Sequence, residues 1–142
     1  MRALRIGLGL GVVVWTAALF LLPGLLFPIG AFICHQRPDR SFFFHGSQLP
    51  VCARCTGLYA GAAVAAPIAM IAATISRAGR ARWLLAAAAL PTAITWTTEF
   101  AGFAHFSNLA RFTAALPLGF VAAWLVLGEL RPPPPQINTP RT

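Results

Sequence analysis

The run IGLGLGVVVWTAALFLLPGLLFPIGAFIC, residues 6–34, carries no charged side chain. A helix that crosses a bilayer needs about 20 mainly apolar residues, so one span fits inside this run with residues to spare. The pattern predicts a helix from Ile6 to about Leu22, within a span reaching about residue 27. Pro23, Gly24, Pro28 and Gly30 predict a kinked or irregular continuation. Arg2 and Arg5 precede the run, as they would in a secretory signal. The run is too long for the apolar core of such a signal and no small-x-small cleavage site follows it, so it reads as a retained span.

Three further spans lie outward from this run. One covers about 53–76, uncharged from Cys55 to Ser76, with Pro67 as a kink. One covers 83–99, with Pro91 inside it, and one covers 111–129, uncharged from Phe112 to Gly128. The last two have short uncharged cores and reach membrane length by taking in flanking residues or by thinning the bilayer. Composition points the same way. Of 142 residues, 58% are hydrophobic and 10% charged, against about a quarter charged in a soluble domain. That hydrophobicity also excludes a disordered chain. The fold class expected is all-α: a polytopic membrane helix bundle of about four spans in one domain, residues 1–131. The Pro-rich tail 132–142 should be a disordered, extended stub.

The charge is +8, with every basic residue an arginine and three acids, Asp39, Glu99 and Glu129. The arginines stand singly, with no basic patch, so no nucleic-acid partner is expected and the partner is the lipid bilayer. Four spans put Arg2, Arg5, Arg77, Arg80, Arg82, Arg131 and Arg141 on one side. Arg37, Arg40, Arg54 and Arg111 fall on the other. The excess predicts that both termini are cytoplasmic.

The polar loop after the first span then lies outside. It holds all three cysteines, two of the three histidines, and Arg37, Arg40 and Arg54. The spacing is Cys34-His35, then Cys52-x-x-Cys55. Pro50 suggests that the second pair opens the second helix, with both sulfurs on one face. Tyr59 continues that face, while Gly57 and Gly61 form a G-x-x-x-G pair on the opposite one. Such a pair suits close helix packing, including contact with a second copy or a membrane partner. Thiols at a helix N-terminus ionise more easily, and Arg54 adds positive charge.

Two chemistries follow. Cys34, Cys52 and Cys55, with His35 or His45, supply a Cys3His set suited to zinc, and the thiolates also suit copper(I). Alternatively, Cys52 and Cys55 form the pair of a membrane thiol–disulfide oxidoreductase, permitted outside the cytoplasm. An odd cysteine count and the lack of a thioredoxin-like context weigh against that. A static disulfide, or a structural zinc that pins the loop, would leave a structural membrane subunit with no chemistry of its own. Covalent haem attachment is excluded because Thr56, not histidine, follows Cys55.

A second polar cluster closes the third span. Glu99 sits at its edge, and an ionisable group at that depth is a functional candidate. His105, Ser107, Asn108 and Arg111 follow. Ser107 or Asn108 can cap the last helix. Glu99 can pair with Arg111, Arg37 or Arg40, or together with His105 support a metal ligand. The aromatics Phe42–Phe44, Trp96, Phe100, Phe103 and Phe106 read as an interfacial belt.

The loop resembles a known family. Cys34-His35-Gln36-x-Pro38-x-Arg40-Ser41-Phe42, Gly46, and Leu49-Pro50-x-Cys52-x-Arg54-Cys55-x-Gly57-x-Tyr59-x-Gly61 look like the signature of domain of unknown function 2085. Pro91 and Ser107-Asn108-x-x-Arg111 extend the likeness, which runs from about Cys34 to Gly119. Thr95-Trp96 and Glu99 stand where many relatives would carry Asp-Gly and Gln. The resemblance implies a small, multi-pass protein of the prokaryotic inner membrane and gives no activity. It groups Cys34, His35, Arg40, Cys52, Arg54 and Cys55 as one site.

Overall fold

Proline and glycine set the first break, as the pattern predicts, but the chain around it is more regular. In a computed structural model, which describes residues 2–71 and 78–130, helix α1 covers Arg2–Leu21. Leu22 leaves helical geometry at φ −130° and ψ 47°, and Pro23 restarts the chain in the first turn of α2, Pro23–Gly30. Pro fits there because a first-turn N–H has no partner to lose. The remaining helices are α3, Ala53–Ile71, α4, Ala78–Phe100, and α5, Asn108–Glu129. The end of the expected 53–76 span, Arg77, Arg131, Arg141 and the Pro-rich tail 132–142 lie outside the described residues.

The polar loop is not a loop, and the all-α expectation needs correcting. After a 3-10 turn at Pro38–Arg40, strands β1, Ser41–Phe44, and β2, Ser47–Cys52, form an antiparallel hairpin. His45 and Gly46 connect them at φ 48° and 78°. Two consecutive left-handed residues make the turn whose twist matches paired strands, and Gly46 takes that geometry without strain. Phe44 pairs with Ser47 and Phe43 with Gln48, then a bulge brings Ser41 opposite Cys52. Pro50, which has no N–H to give a ladder, stands in the irregular part.

The long helices alternate in direction. Arg5 of α1 lies at Ala69 of α3, and Thr16 at Tyr59, so α1 and α3 are antiparallel. On α4, Thr92 donates to the Ala114 carbonyl of α5 and Glu99 meets Arg111, so these two are antiparallel as well. α3 and α5 run parallel, with Gly57 against Phe112, Gly61 against Leu116, and Ala66 and Ala69 against Leu127. The hairpin, the C-terminal end of α4 and the start of α5 therefore share one end of the bundle. The start of α1 and the end of α5 share the other.

The seam between α3 and α5 is made of small residues. A Cβ on Gly57 would run into the Phe112 carbonyl, one on Gly61 into the Leu116 carbonyl, and one on Gly119 into the Leu58 carbonyl. Backbones that close gain dispersion contacts, which hold helices together where lipid is as apolar as the side chains. The Gly57/Gly61 face is thus filled within the chain. This corrects its expected use for a second copy or a membrane partner.

Outward, the helices are apolar. Leu21, Ile71, Trp83 and Phe100 are among many large hydrophobic side chains left exposed. Three helices, α1, α3 and α5, are long and apolar enough to cross a membrane. Helix α4 is 23 residues, about 34 Å at 1.5 Å per residue, but is interrupted by Thr92, Thr95, Thr97 and Thr98 and carries Glu99 in its last turn.

Candidate functional site

Three elements converge at the hairpin end. Cys34 follows α2, tied back by its N–H to the Gly30 carbonyl at 2.8 Å. Cys52 ends β2, and Cys55 lies in the first turn of α3. Their sulfurs all lie within 4.8 Å of one another. All three are unbridged thiols, half-buried. Cys34 and Cys55 pack on the core cluster of Leu19, Leu26 and Val51, beside Trp15 and Tyr59.

The expectation that Cys52 and Cys55 both open the helix needs adjusting. Cys52 still pairs with Ser41 in extended geometry, so helix α3 begins one residue later, at Ala53. The strand-to-helix junction nevertheless brings the two sulfurs together. It also leaves N–H groups free to serve sulfur. The Cys52 N–H donates to Cys34 Sγ at 3.2 Å. A hydrogen bond from the Cys55 thiol, joined by the Cys55 and Arg54 N–H groups, holds the Cys52 thiol down at about 5, although burial works against this. The arrangement favours thiolate at Cys52.

Hydrogen bonds fix the approach to the cysteines. Gln36 Nε2 donates to the carbonyls of Phe27, at 2.5 Å, and Pro50, at 3.0 Å, bridging α2 and β2. Its backbone carbonyl accepts from Gln48 Nε2 at 2.6 Å. Ser41, buried, donates to the Arg37 carbonyl at 2.8 Å.

Glu99 anchors the neighbouring helices. Its Oε2 accepts from Arg54 Nη2 at 2.5 Å and its Oε1 from Arg111 Nη2 at 2.6 Å and Nε at 2.9 Å. The Phe106 N–H adds a contact at 3.2 Å. The Glu99 side chain is 3% exposed, and those of Arg111 and Arg54 are 8% and 14%. Arg111 also donates to Asn108 Oδ1 at 2.7 Å, and Asn108 Nδ2 donates to the Ser41 carbonyl at 3.0 Å. One carboxylate thus links α3, α4 and α5, and Asn108 extends the link to the hairpin. Arg54 is one of the two residues between the cysteines of the C-x-x-C motif, so the network and the thiols share a scaffold.

The structure sorts the residues singled out from sequence. Cys34, Cys52 and Cys55 come together, as do Arg54, Glu99 and Arg111. His35 and His45 are exposed and neither joins the cysteine group among the described residues. Around His35 the chain alternates, with Cys34 and Gln36 turned in and His35 out. The group that the structure brings together is the three thiols, and His35 stands outside it. His105 is exposed and is not among the partners of Glu99. Arg37 and Arg40 pair instead with Asp39, at 3.2 Å and 3.7 Å. Of the two possible caps for α5, Ser107 is the one used, accepting from the Ala110 N–H at 3.2 Å.

Sequence reasoning missed Gln36, Gln48 and Asn108 as bracing residues. Gln36 stands inside the loop signature, a signal that was available. The pairing partners of Gln48 and Asn108 depend on the hairpin register and leave no local trace.

Residues 34–125 match the family described as Predicted membrane protein (DUF2085). An uncharacterized protein of Methanothermobacter thermautotrophicus is 37% identical over 100 residues, covering 66% of this chain and 84% of the relative. An uncharacterized protein of Methanocaldococcus jannaschii is 34% identical over 103 residues, covering 72% of this chain and 66% of the relative. No solved structure matches the chain. The matched segment opens at Cys34 and takes in both the three cysteines and the Glu99 network; the chain belongs to the DUF2085 family of predicted membrane proteins.

Proposed function

We propose that this protein is a four-span membrane protein that binds one thiophilic metal ion, zinc first among them, through Cys34, Cys52 and Cys55. The observation that carries the reading is the sulfur triangle. Three unbridged thiols from three separate elements lie within 4.8 Å of one another. Three sulfurs around one tetrahedral ion at 2.3 Å stand about 3.8 Å apart, so the triangle needs little adjustment to close on a metal. The lowered Cys52 thiol supplies one ligand in the form a metal takes. With three protein ligands, the fourth position is open to water or to a transferred group, and the half-buried setting leaves access from the membrane surface. Arg54, Glu99 and Arg111 support the site by fixing the start of α3.

Helix directions support the fourth span. Because α3 and α5 run parallel, the chain has to return across the bundle between them, and α4 is the element that does so. The arginine distribution supports cytoplasmic termini and a prokaryotic inner-membrane location, with the thiols outside.

Elemental analysis of the purified protein tests the reading. We expect about one metal ion per chain, lost in Cys34→Ser, Cys52→Ser and Cys55→Ser. Equal, near-zero metal in all four proteins would overturn it. The lowered Cys52 thiol beside Cys55 favours a second reading, thiol–disulfide exchange. There Cys52 and Cys55 would pass two electrons to a partner disulfide and close their own. Alkylation before and after reduction distinguishes it, since that chemistry requires a Cys52–Cys55 disulfide in some fraction of the protein.

A further inference from the structure

We infer that the groove between α1 and α3, at the bundle end opposite the cysteines, binds an anionic phospholipid. The groove encloses about 530 Å³, a volume typical of small-molecule sites. Its length is apolar, formed by Leu10 and Val13 of α1 against Pro67 and Met70 of α3. Arg2 and Arg5 stand at its end, and none of the described residues lining it is acidic.

Arg5 makes this more than a greasy cleft. It is 8% exposed. One of its terminal nitrogens donates to the Ala69 carbonyl in the last turn of α3. Its buried Nε has no hydrogen-bond partner among the described residues. A buried guanidinium N–H without an acceptor is costly, and a phosphate oxygen is the acceptor that the fork of an arginine fits best. Charge and shape then name the occupant. A site with two cations at the membrane surface and an apolar wall running inward complements an amphiphile with a negative head and an acyl chain. A free anion leaves the wall uncovered, and a zwitterionic lipid brings a cation of its own to a site that already holds two. Because α1 begins at this end, Arg2 and Arg5 stand at headgroup depth on either orientation of the protein.

The test uses full-length protein reconstituted in vesicles of equal parts phosphatidylglycerol and phosphatidylcholine, then extracted in mild detergent. Lipid retained is measured by mass spectrometry, and thermal stability is measured with added lipid or inorganic phosphate. We expect phosphatidylglycerol to be retained above its share of the vesicle and to raise the melting temperature, with inorganic phosphate ineffective. Arg5→Gln should retain about ten-fold less, as the loss of one charged hydrogen bond predicts. Val13→Trp fills the groove without touching either charge or the Ala69 contact, and should also lose the lipid while staying folded. Retention that mirrors the vesicle composition overturns the proposal. So does equal protection by inorganic phosphate, or full retention by Val13→Trp.

Discussion

Replacing Glu99 by alanine removes the only anion from a buried cluster of two cations. The side chain is 3% exposed and receives three charged hydrogen bonds, one from Arg54 and two from Arg111, besides the Phe106 N–H. Each charged hydrogen bond contributes about 1.5–3 kcal/mol net, which sets an upper bound of roughly 5–9 kcal/mol for the three. Water reaching the vacated site at the bundle end recovers part of this. Removing one partner from a buried ionic group typically costs about 3–5 kcal/mol, because the remaining charges stay buried and now repel. For a chain of this size the loss corresponds to a fall in melting temperature of roughly 10–15 °C. Thermal unfolding in detergent, followed by circular dichroism, measures it. The apolar triple Arg54→Met, Glu99→Leu, Arg111→Met should regain most of the loss, since it leaves no unpaired charge. A Glu99→Ala protein within about 1 kcal/mol of wild type would refute the argument, showing the cluster to be hydrated and not a tie between helices.

Other outcomes follow from the packing. Gly61→Leu should destabilise by about 1–3 kcal/mol or more in the same unfolding assay by forcing α3 off the Leu116 carbonyl, whereas Gly7→Ala, with nothing near its added methyl, should be neutral. Thr92→Val removes the hydroxyl that donates to the Ala114 carbonyl at 2.8 Å and should cost about 0.6 kcal/mol, the usual size of such a bond between membrane helices. For topology, Ser47→Cys, exposed on the hairpin, should react with a membrane-impermeant maleimide on intact cells in a background where the three native cysteines are serine. Labelling only after lysis would place the hairpin in the cytoplasm.

Several features of the site could be read without coordinates because they are local. The C-x-x-C spacing keeps two thiols close whether the intervening turn is helical or a strand-to-helix junction. Ser107 caps α5 because its side chain reaches an N–H only three residues on. Glu99 was marked by the cost of an acid at the edge of an apolar segment. The hairpin went unread because Phe42–Phe44 look like a membrane-surface belt. Its two-residue turn, His45-Gly46, was the available clue. His35 stands outside the cysteine group because the chain there turns Cys34 and Gln36, its two neighbours, inward and leaves His35 exposed.

Hydropathy along the chain determined by itself that this is a helical membrane protein, since burying a backbone in lipid demands helices wherever the side chains are apolar. The arginine positions divided its ends, and the cysteine spacing marked the loop. Only the tertiary structure decided partners. Whether Gly57 and Gly61 meet another molecule or α5, which arginines answer Glu99, and whether the thiol of Cys34 comes within reach of the C-x-x-C pair are questions of residues far apart in sequence. Each is answered by backbone approach and helix direction, and those depend on the packing of the whole bundle, not on any one segment.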